Sequence, residues 1–313
     1  MTTPERCGTV AVIGNGLIGH GVAQIFATAG HDVRLIGRSR DSLDRALMRI
    51  RGSLGAFVTR RLVAASEVEG IVGRIRVSTA LDDAAGADLV VEAVPEDQAL
   101  KHAVFGRLDR TCPPPAVLAS SSGQPVSRLV DRVRHRERVV AAHFWNPPQL
   151  IPLVEVCGGP TTAPSVVPWV CDVLRTVGKQ PVVLDREIAG FLGNRLQFAL
   201  LREALALWAG GVASAEAIDL AVKMGFGRRL AVTGPLESAD LGGLDTFRAF
   251  SAYLFPELDV SSAPPDRLGD LVRAGHRGLS TGRGIHDWTR RDGQALATAR
   301  MDELFRHLRA AAD

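Results

Sequence analysis

The first half of the chain alternates short apolar runs with longer stretches whose apolar residues recur at helical spacing. Runs rich in Val, Ile and Leu predict strands buried on both faces of a parallel sheet. The predicted strands are Thr9–Ile13, Asp32–Ile36, Arg74–Ser78, Leu89–Ala93, Ala116–Ala119, Val139–His143, Leu153–Val156 and Pro181–Leu184. The predicted helices are Leu17–Ala29, a stretch from Asp41 to about Val72 broken near Ala64–Ser66, and Ala99–Leu108. This alternation predicts an α/β domain with a mostly parallel, doubly wound sheet over residues 1–187.

After Asp185 the apolar pattern keeps a helical period and no strand pattern interrupts it. Ser214 is a helix N-cap signal, and Phe255–Pro265, where Pro and Ser cluster, is the least regular segment. We therefore expect an all-α C-terminal domain over residues 188–313. Its predicted helices are Gly190–Ala209, Ala213–Val222, Leu241–Leu254 and Pro265–Ala274.

Composition narrows the class of protein. A chain of 313 residues has room for about two domains, and its net charge of +3 is interspersed, which disfavours a nucleic-acid partner. No apolar run approaches the ~20 residues of a membrane span, and Met1–Gly8 is too short and polar for a signal peptide. The scattered cysteines predict reduced thiols in a cytoplasmic protein, with neither a disulfide frame nor a metal site. They are Cys7, Cys112, Cys157 and Cys171.

A glycine motif joins the first predicted strand to the first predicted helix. Gly14, Gly16 and Gly19 form G-x-G-x-x-G, with Leu17 and Ile18 between the last two glycines. The first glycine allows a tight turn, the second lets a pyrophosphate approach the backbone, and the third lets the helix pack closely. The free N–H groups of the helix then face the phosphates. We therefore predict a Rossmann domain with a dinucleotide site.

The end of the second strand indicates which nucleotide binds. A Rossmann domain usually has a carboxylate there for the adenosine ribose, but this chain has Gly37 followed by Arg38, with Arg40 nearby. Gly37 is expected to open space, and a guanidinium binds a 2′-phosphate that a carboxylate would repel. The pattern favours NADP(H), with NAD(H) possible. In the alternative, these residues are a plain turn and Ser39 or backbone groups hold the ribose.

Polar residues follow several of the later predicted strands. Val91–Asp97 contains Glu92 and Glu96, and Ala119–Gly123 contains three serines. His143 ends the next strand, with Glu155 twelve residues later. The run Ala189–Leu196, which includes Asn194, opens the helical domain.

This set of motifs, in this order and over nearly the whole chain, resembles the 3-hydroxyacyl-CoA dehydrogenase family. The resemblance implies a Rossmann domain, a helical dimerisation domain, and oxidation of a 3-hydroxyacyl thioester, on CoA or a carrier protein, to its 3-keto form. The family includes relatives that use free acids, such as L-gulonate 3-dehydrogenase, and lambda-crystallin. The runs Asn194–Gln197 and Arg229–Glu237 look closer to those relatives.

The resemblance also implies roles for individual residues. His143 is the expected catalytic base, Glu155 its supporting carboxylate, and Ser122 and Asn194 the donors to the substrate oxygen. Glu96, Lys101 and Ser120 correspond to cofactor-side positions. Three alternatives stay open at this stage. In the first, Asn194 is only a helix N-cap. In the second, Ser121 takes the role given to Ser122. In the third, Lys101 is a solvated helix residue.

Three functions remain to be compared. The first is a thioester dehydrogenase that works as a homodimer through its C-terminal domain, with neither nucleic acid nor membrane as a partner. The second is a dehydrogenase of a free 3-hydroxy acid, whose carboxylate Arg195, Arg228 and Arg229 would bind unless they are ordinary surface charges. The third is an inactive, crystallin-like nucleotide-binding protein.

Overall fold

The computed structural model describes Met1 and residues 3–310, which form two compact units. The first unit comprises residues up to Leu192 together with the chain from Asp302, and the second comprises Gly193–Met301. Thr2 and residues 311–313, at the ends of the two predicted domains, lie outside the described residues.

The first unit is built on a single eight-stranded sheet in the order β3-β2-β1-β4-β5-β6-β7-β8. All neighbouring strands are parallel except β6 and β7, which confirms the predicted mostly parallel fold. The strands are β1 Thr9–Ile13, β2 Asp32–Ile36, β3 Ile75–Ser78, β4 Leu89–Glu92, β5 Val117–Ser120, β6 Val139–Phe144, β7 Leu153–Gly158 and β8 Gln180–Val183. The helices are α1 Leu17–Thr28, α2 Arg40–Thr59, α3 Val68–Gly73, α4 Gln98–Thr111 and α5 Val166–Thr176.

Apolar side chains cover both faces of the central strands of this sheet, whereas the edge strand β8 is largely exposed. In β1, Val10 and Val12 belong to one buried cluster, whereas Ala11 and Ile13 belong to the other. Successive side chains of a strand point to opposite faces, so a strand covered on both sides is apolar throughout. This is why the strands were recognisable as unbroken apolar runs.

Helix α5 was not predicted. Its buried residues, Val166, Val170, Cys171, Val173 and Leu174, form a helical stripe against the sheet. Pro168 stands in the first turn, where the backbone N–H has no intrahelical partner, so it does not interrupt the helix.

The second unit is helical, as predicted. Ser214 caps its helix by accepting a hydrogen bond from the Ala217 amide at 3.2 Å. The single helix predicted over Leu241–Leu254 is wrong, because Gly243, at φ +86°, breaks it into two. The helices that follow β8 are α6 Phe191–Ala209, α7 Ala215–Met224, α8 Pro235–Gly242, α9 Leu244–Leu254, α10 Asp266–Arg273 and α11 Gly293–Ala310. Neither α11 nor the part of α8 before Leu241 was predicted. Among the helices described, none has the length and apolar character to cross a bilayer.

The segment predicted to be least regular has some local order. Phe255–Glu257 forms a short 3₁₀ turn, and the Asp259 amide donates to Glu203 Oε2 at 2.8 Å. The Asp259 carboxylate in turn accepts the Ser261 amide at 3.2 Å. Hydrogen bonds to the Glu203 and Asp259 carboxylates therefore hold this segment, which otherwise has little regular secondary structure.

Candidate active site

The glycine motif packs as tightly as its sequence predicts. Gly14 has φ +104°, and a Cβ there would lie 2.4 Å from the Ala93 carbonyl oxygen at the end of β4. A Cβ on Gly19 would lie 1.8 Å from the Gly14 carbonyl oxygen. Any larger residue would push α1 away from the turn, because backbone atoms cannot yield at these distances.

The N-terminus of α1 is open to a ligand. Gly16 is the N-cap and supplies no side-chain cap, and no described atom lies within 4 Å of the place where its Cβ would stand. Leu17 is 68% exposed and Ile18 is half-buried. The uncapped N–H groups and the positive end of the helix dipole therefore fit the pyrophosphate of a dinucleotide.

His20, which the sequence analysis did not single out, supports this turn from inside. Its Nδ1 lies 2.6 Å from the Gly16 carbonyl oxygen, and the ring is buried. Burial lowers the pKa of His20 below its ordinary value, so the ring is neutral at physiological pH and Nδ1 donates to the carbonyl. The available signal was a pair of polar residues, His20 and Gln24, four positions apart in an otherwise apolar helix.

The end of β2 differs from the expectation in one respect. A Cβ on Gly37 would lie 2.9 Å from both Asn15 Oδ1 and Leu43 Cδ2, so the expected open space at that position is wrong. Arg38 is exposed, whereas Arg40 pairs with Asp44 at 3.3 Å. Both arginines are exposed at this strand end, and Arg40 is the one that already has a carboxylate partner.

A buried ion pair lies at the carboxyl ends of β4 and β5. Lys101 Nζ donates to both carboxylate oxygens of Glu92, at 2.9 and 3.1 Å. The same carboxylate accepts Ser120 Oγ and the Val94 amide, both at 2.7 Å. Glu92, Lys101 and Ser120 are all fully buried, so the alternative of a solvated Lys101 is wrong. Their side chains stabilise this strand end from within, and any part that they play in cofactor binding stays a prediction.

Glu92 was not among the predicted site residues, although its position inside an apolar strand indicates a buried carboxylate that needs a partner. A carboxylate inside an apolar strand needs hydrogen-bond donors or a cation when it is buried. Lys101 provides that cation from the first turn of α4, nine residues along the chain.

Ser122 lies above this ion pair with its hydroxyl already bonded. Ser122 Oγ donates to Glu96 Oε2 at 2.9 Å, and Gln124 Nε2 donates to the same oxygen at 3.1 Å. Glu96 is exposed, with its other oxygen 3.5 Å from Lys101 Nζ. To donate to a substrate, Ser122 would have to release Glu96. Ser121 is half-buried, so the two serines remain alternatives.

His143 and Glu155 face each other across β6 and β7. These strands are antiparallel and their register pairs the two residues directly, which explains their twelve-residue separation. His143 Nδ1 lies 2.9 Å from Glu155 Oε2. An ionised carboxylate can only accept a hydrogen bond, so Nδ1 carries a proton, and in the neutral ring Nε2 then presents its lone pair.

Two further groups hold the buried Glu155 carboxylate. Trp145 Nε1 donates to Oε2 at 3.1 Å, and the Leu192 amide donates to Oε1 at 2.8 Å. Phe191, whose φ is +49°, turns the chain so that this amide faces the carboxylate, and its ring lies 5.8 Å from the His143 ring. Sequence reasoning missed all three residues, because none of these contacts depends on a sequence motif.

The loop between β6 and β7 is fastened by Lys179. Its Nζ donates to the carbonyl oxygens of Pro148 and Ile151, at 2.5 and 3.1 Å. Gln149 in the same loop packs on α1, where a Cβ on Gly21 would lie 2.6 Å from Gln149 Oε1. Lys179 thus holds the segment that connects His143 to Glu155.

Burial lowers the pKa of Lys179 from 10.5 to about 8. Between these pH values the unfolded chain binds a proton that the folded protein does not, so folding stability should rise with pH in this window. Urea unfolding at pH 7.5 and pH 10 should show a gain of about 1–3 kcal/mol relative to Lys179→Met. Lys223→Met removes an exposed lysine and is the matched control. An identical pH dependence in the wild type and Lys179→Met would contradict this assignment.

The remaining predicted residues lie in the second unit. Asn194 is the fourth residue of α6 and is half-buried, so the N-cap alternative for it is wrong. Arg195, Arg228 and Arg229 are exposed in the described chain.

The cysteines are free thiols. Burial raises the pKa of Cys112 and of Cys157 to about 11, and that of Cys7 to about 12. These thiols are therefore protonated and weakly nucleophilic at neutral pH. No group of three or more potential metal ligands occurs among the described residues.

Comparison with known proteins identifies the family of this chain. Residues 9–188 match the NAD-binding domain of 3-hydroxyacyl-CoA dehydrogenase, and residues 190–288 match its C-terminal domain. The chain is 34% identical to 5-formyl-3-hydroxy-2-methylpyridine 4-carboxylate 5-dehydrogenase of Mesorhizobium japonicum, over 94% of this chain and 95% of that protein. It is 33% identical to 3-hydroxybutyryl-CoA dehydrogenase of Clostridioides difficile, over 90% of this chain and 99% of that one.

A solved structure of a 5-formyl-3-hydroxy-2-methylpyridine 4-carboxylic acid 5-dehydrogenase, described as NAD⁺ dependent, superposes with a TM-score of 0.89 at 30% identity. The match covers 98% of this chain and 99% of that one. The NAD-binding family match includes β1 and α1, which carry the glycine motif. The chain belongs to the 3-hydroxyacyl-CoA dehydrogenase family and is a nicotinamide-dependent oxidoreductase of that family.

Proposed function

We propose that the protein interconverts a 3-hydroxyacyl thioester, on CoA or a carrier protein, and its 3-keto form. The observation that carries this proposal is the 2.9 Å contact between His143 Nδ1 and Glu155 Oε2. With Nδ1 donating to Glu155, Nε2 of His143 takes the proton of the 3-hydroxyl group. The carboxylate then stabilises the imidazolium that forms. The two side chains together perform the proton transfer that alcohol oxidation requires.

The remaining site residues bind and orient. Gly14, Gly16, Leu17, Ile18 and Gly19 would hold the dinucleotide through backbone N–H groups at the start of α1. When bound, the nicotinamide supplies the hydride acceptor. We assign Ser122 and Asn194 to hydrogen-bond the substrate oxygen as charge develops on it.

A dehydrogenase of a free 3-hydroxy acid is the second candidate, and one observation favours it. The structure that superposes on 98% of this chain, at a TM-score of 0.89, belongs to a protein named for a free carboxylate substrate. The structure of a 3-hydroxybutyryl-CoA dehydrogenase from Ralstonia eutropha superposes on 90% of this chain, at a TM-score of 0.76. In this alternative, the exposed Arg195, Arg228 and Arg229 would supply the cation for the carboxylate.

A substrate panel separates the candidates. Nucleotide reduction is measured with 3-hydroxybutyryl-CoA, a 3-hydroxyacyl carrier protein, free 3-hydroxybutyrate and L-gulonate at equal concentrations. The thioester proposal expects kcat/KM at least about a hundredfold higher with a thioester than with its free acid. A preference for a free acid would support the second candidate. Reduction with none of them would favour the inactive, crystallin-like alternative.

We also propose that NADP(H) binds more tightly than NAD(H). The exposed Arg38 and the absence of a carboxylate at the end of β2 support this. Arg38→Ala should weaken NADPH binding about tenfold and leave NADH binding unchanged, because only NADPH has the 2′-phosphate. Added salt should reduce the preference in the wild type.

Calorimetric titration of each nucleotide at two salt concentrations measures this effect. Arg40→Ala is the control, since Arg40 pairs with Asp44. Gly37→Asp is a poor probe, because its Cβ would clash with Asn15 and Leu43. Tighter binding of NADH to the unmodified protein would overturn the proposal.

We further propose a homodimer formed through the helical unit. Among the described residues of α7 to α10 none is buried, so these helices lack a core within one chain. Apolar surface of this extent is typical of a permanent interface. Between 63% and 84% of each of these side chains is exposed: Val212, Val232, Leu236, Leu241, Leu244 and Val260.

Light scattering after gel filtration should therefore give about twice the 33.4 kDa of one chain. Val232→Asp together with Leu236→Asp should lower this mass or leave the protein unfolded, because a desolvated carboxylate disfavours the interface. A wild-type mass of one chain at micromolar concentration would contradict the proposal.

The cytoplasm is the proposed location. Free cysteines persist under reducing conditions, and all four cysteines of this chain are unpaired. Microscopy of a fluorescent fusion tests this, and an extracytoplasmic signal would contradict it.

A further inference from the structure

Glu155 Oε2 contacts both His143 and Trp145, and Trp145 has no part in the proposed chemistry. His143 Nδ1 lies 2.9 Å from this oxygen and Trp145 Nε1 lies 3.1 Å from it. Trp145 follows His143 by two residues, so the two side chains point to the same face of the sheet. Their rings lie 5.8 Å apart in an edge-to-face arrangement.

The second donor changes what the carboxylate can do. A carboxylate oxygen that accepts from one donor can still turn about its terminal torsion, since such sp² torsions are broad. With the Leu192 amide on Oε1, at 2.8 Å, the indole on Oε2 adds a fixed donor that restricts rotation of the carboxylate beyond what the His143 contact does. Hydrogen bonds to an ionised carboxylate also stabilise its charged form, which weakens its attraction for a proton on the neighbouring ring.

We propose that Trp145 is a positioning residue of the His143–Glu155 pair. Its indole N–H orients Glu155 Oε2 toward His143 Nδ1 and, by sharing that oxygen, limits how strongly the carboxylate retains the proton on the imidazole. This inference rests on the proposed role of His143 as the base. Glu155 of β7 is the charged partner of the His143 ring, and the adjoining Trp145 and Phe191 rings are neutral.

Trp145→Phe removes the indole N–H and keeps an aromatic ring. We expect kcat to fall about tenfold, the scale of one hydrogen bond to a charged group, with the nucleotide Kd unchanged. In the oxidation direction, activity requires the unprotonated imidazole. The acidic limb of the pH profile should therefore move to higher pH, because the freed carboxylate holds the ring proton more strongly. Trp169→Phe is the matched control, since that indole donates to the Pro4 carbonyl oxygen at 2.8 Å. A kcat and a pH profile within twofold of the control would overturn the proposal.

A second measurement needs neither activity nor a stable Trp145 variant. The chain has four tryptophans, whose indole N–H groups give separate ¹H–¹⁵N resonances. In Glu155→Gln, the resonance of Trp145 should move while that of Trp169 stays in place. If no indole resonance responds to Glu155→Gln, the hydrogen bond is absent and the proposal fails. Because this readout needs no substrate, its failure is distinguishable from the failure of the proposed thioester activity.

Discussion

Replacing His143 by alanine is expected to lower turnover by roughly two to four powers of ten, the usual contribution of a general acid–base group. The binding of the dinucleotide should change little, because the proposed phosphate site lies at the start of α1, whereas His143 lies on β6. Steady-state kinetics gives the first quantity and calorimetric titration the second.

His135→Ala is the matched control for this variant. His135 also contacts a carboxylate, Glu137 Oε1 at 3.4 Å, but both side chains are more than two-fifths exposed. Its removal should leave turnover within a factor of about two, as for most surface substitutions. A folded His143→Ala protein with near-normal turnover would remove His143 as the base.

Glu155→Gln should reduce turnover by roughly two to three powers of ten and alter the pH profile. Both oxygens of the native carboxylate face N–H donors, from His143 and Trp145 on one side and Leu192 on the other. A glutamine must turn its NH₂ group toward one of these donors, and it cannot stabilise an imidazolium as a carboxylate does. The His143 ring then loses either the acceptor that keeps its proton on Nδ1 or the negative charge that stabilises the imidazolium.

Glu137→Gln, in the exposed pair with His135, controls for the loss of one carboxylate. Kinetics over a pH range and a thermal melt separate a chemical defect from a folding defect. Wild-type rates and an unchanged pH profile in Glu155→Gln would mean that the carboxylate serves packing alone.

The sequence predicted the sheet well because its central strands are buried on both faces. Unbroken apolar runs such as Thr9–Ile13 identify such strands without knowledge of their partners. The His143–Glu155 pair could be anticipated from spacing, since two strands joined by a loop bring such residues opposite each other. Helix α5 was missed because Pro168 stands in its first turn, a position where proline is tolerated.

The contacts missed in the site are those that form between distant elements. Lys101 meets Glu92 only when α4 packs beside β4, and the Leu192 amide meets Glu155 only because Phe191 adopts a positive φ. The expected space at Gly37 was wrong for the same reason, because Asn15 and Leu43 fill it from other elements. Residue type and spacing predict chemistry along one strand or helix, whereas these contacts depend on tertiary packing.

Isotope transfer tests the central claim most directly. Oxidation of 3-hydroxybutyryl-CoA that is deuterated at C3 should place deuterium on C4 of the nicotinamide, as detected by NMR of the isolated nucleotide. His143→Ala should slow this transfer by the same factor as turnover. Nucleotide that gains no deuterium from the thioester, while a 3-deuterated free hydroxy acid transfers it readily, would contradict the claim that this protein is a 3-hydroxyacyl thioester dehydrogenase.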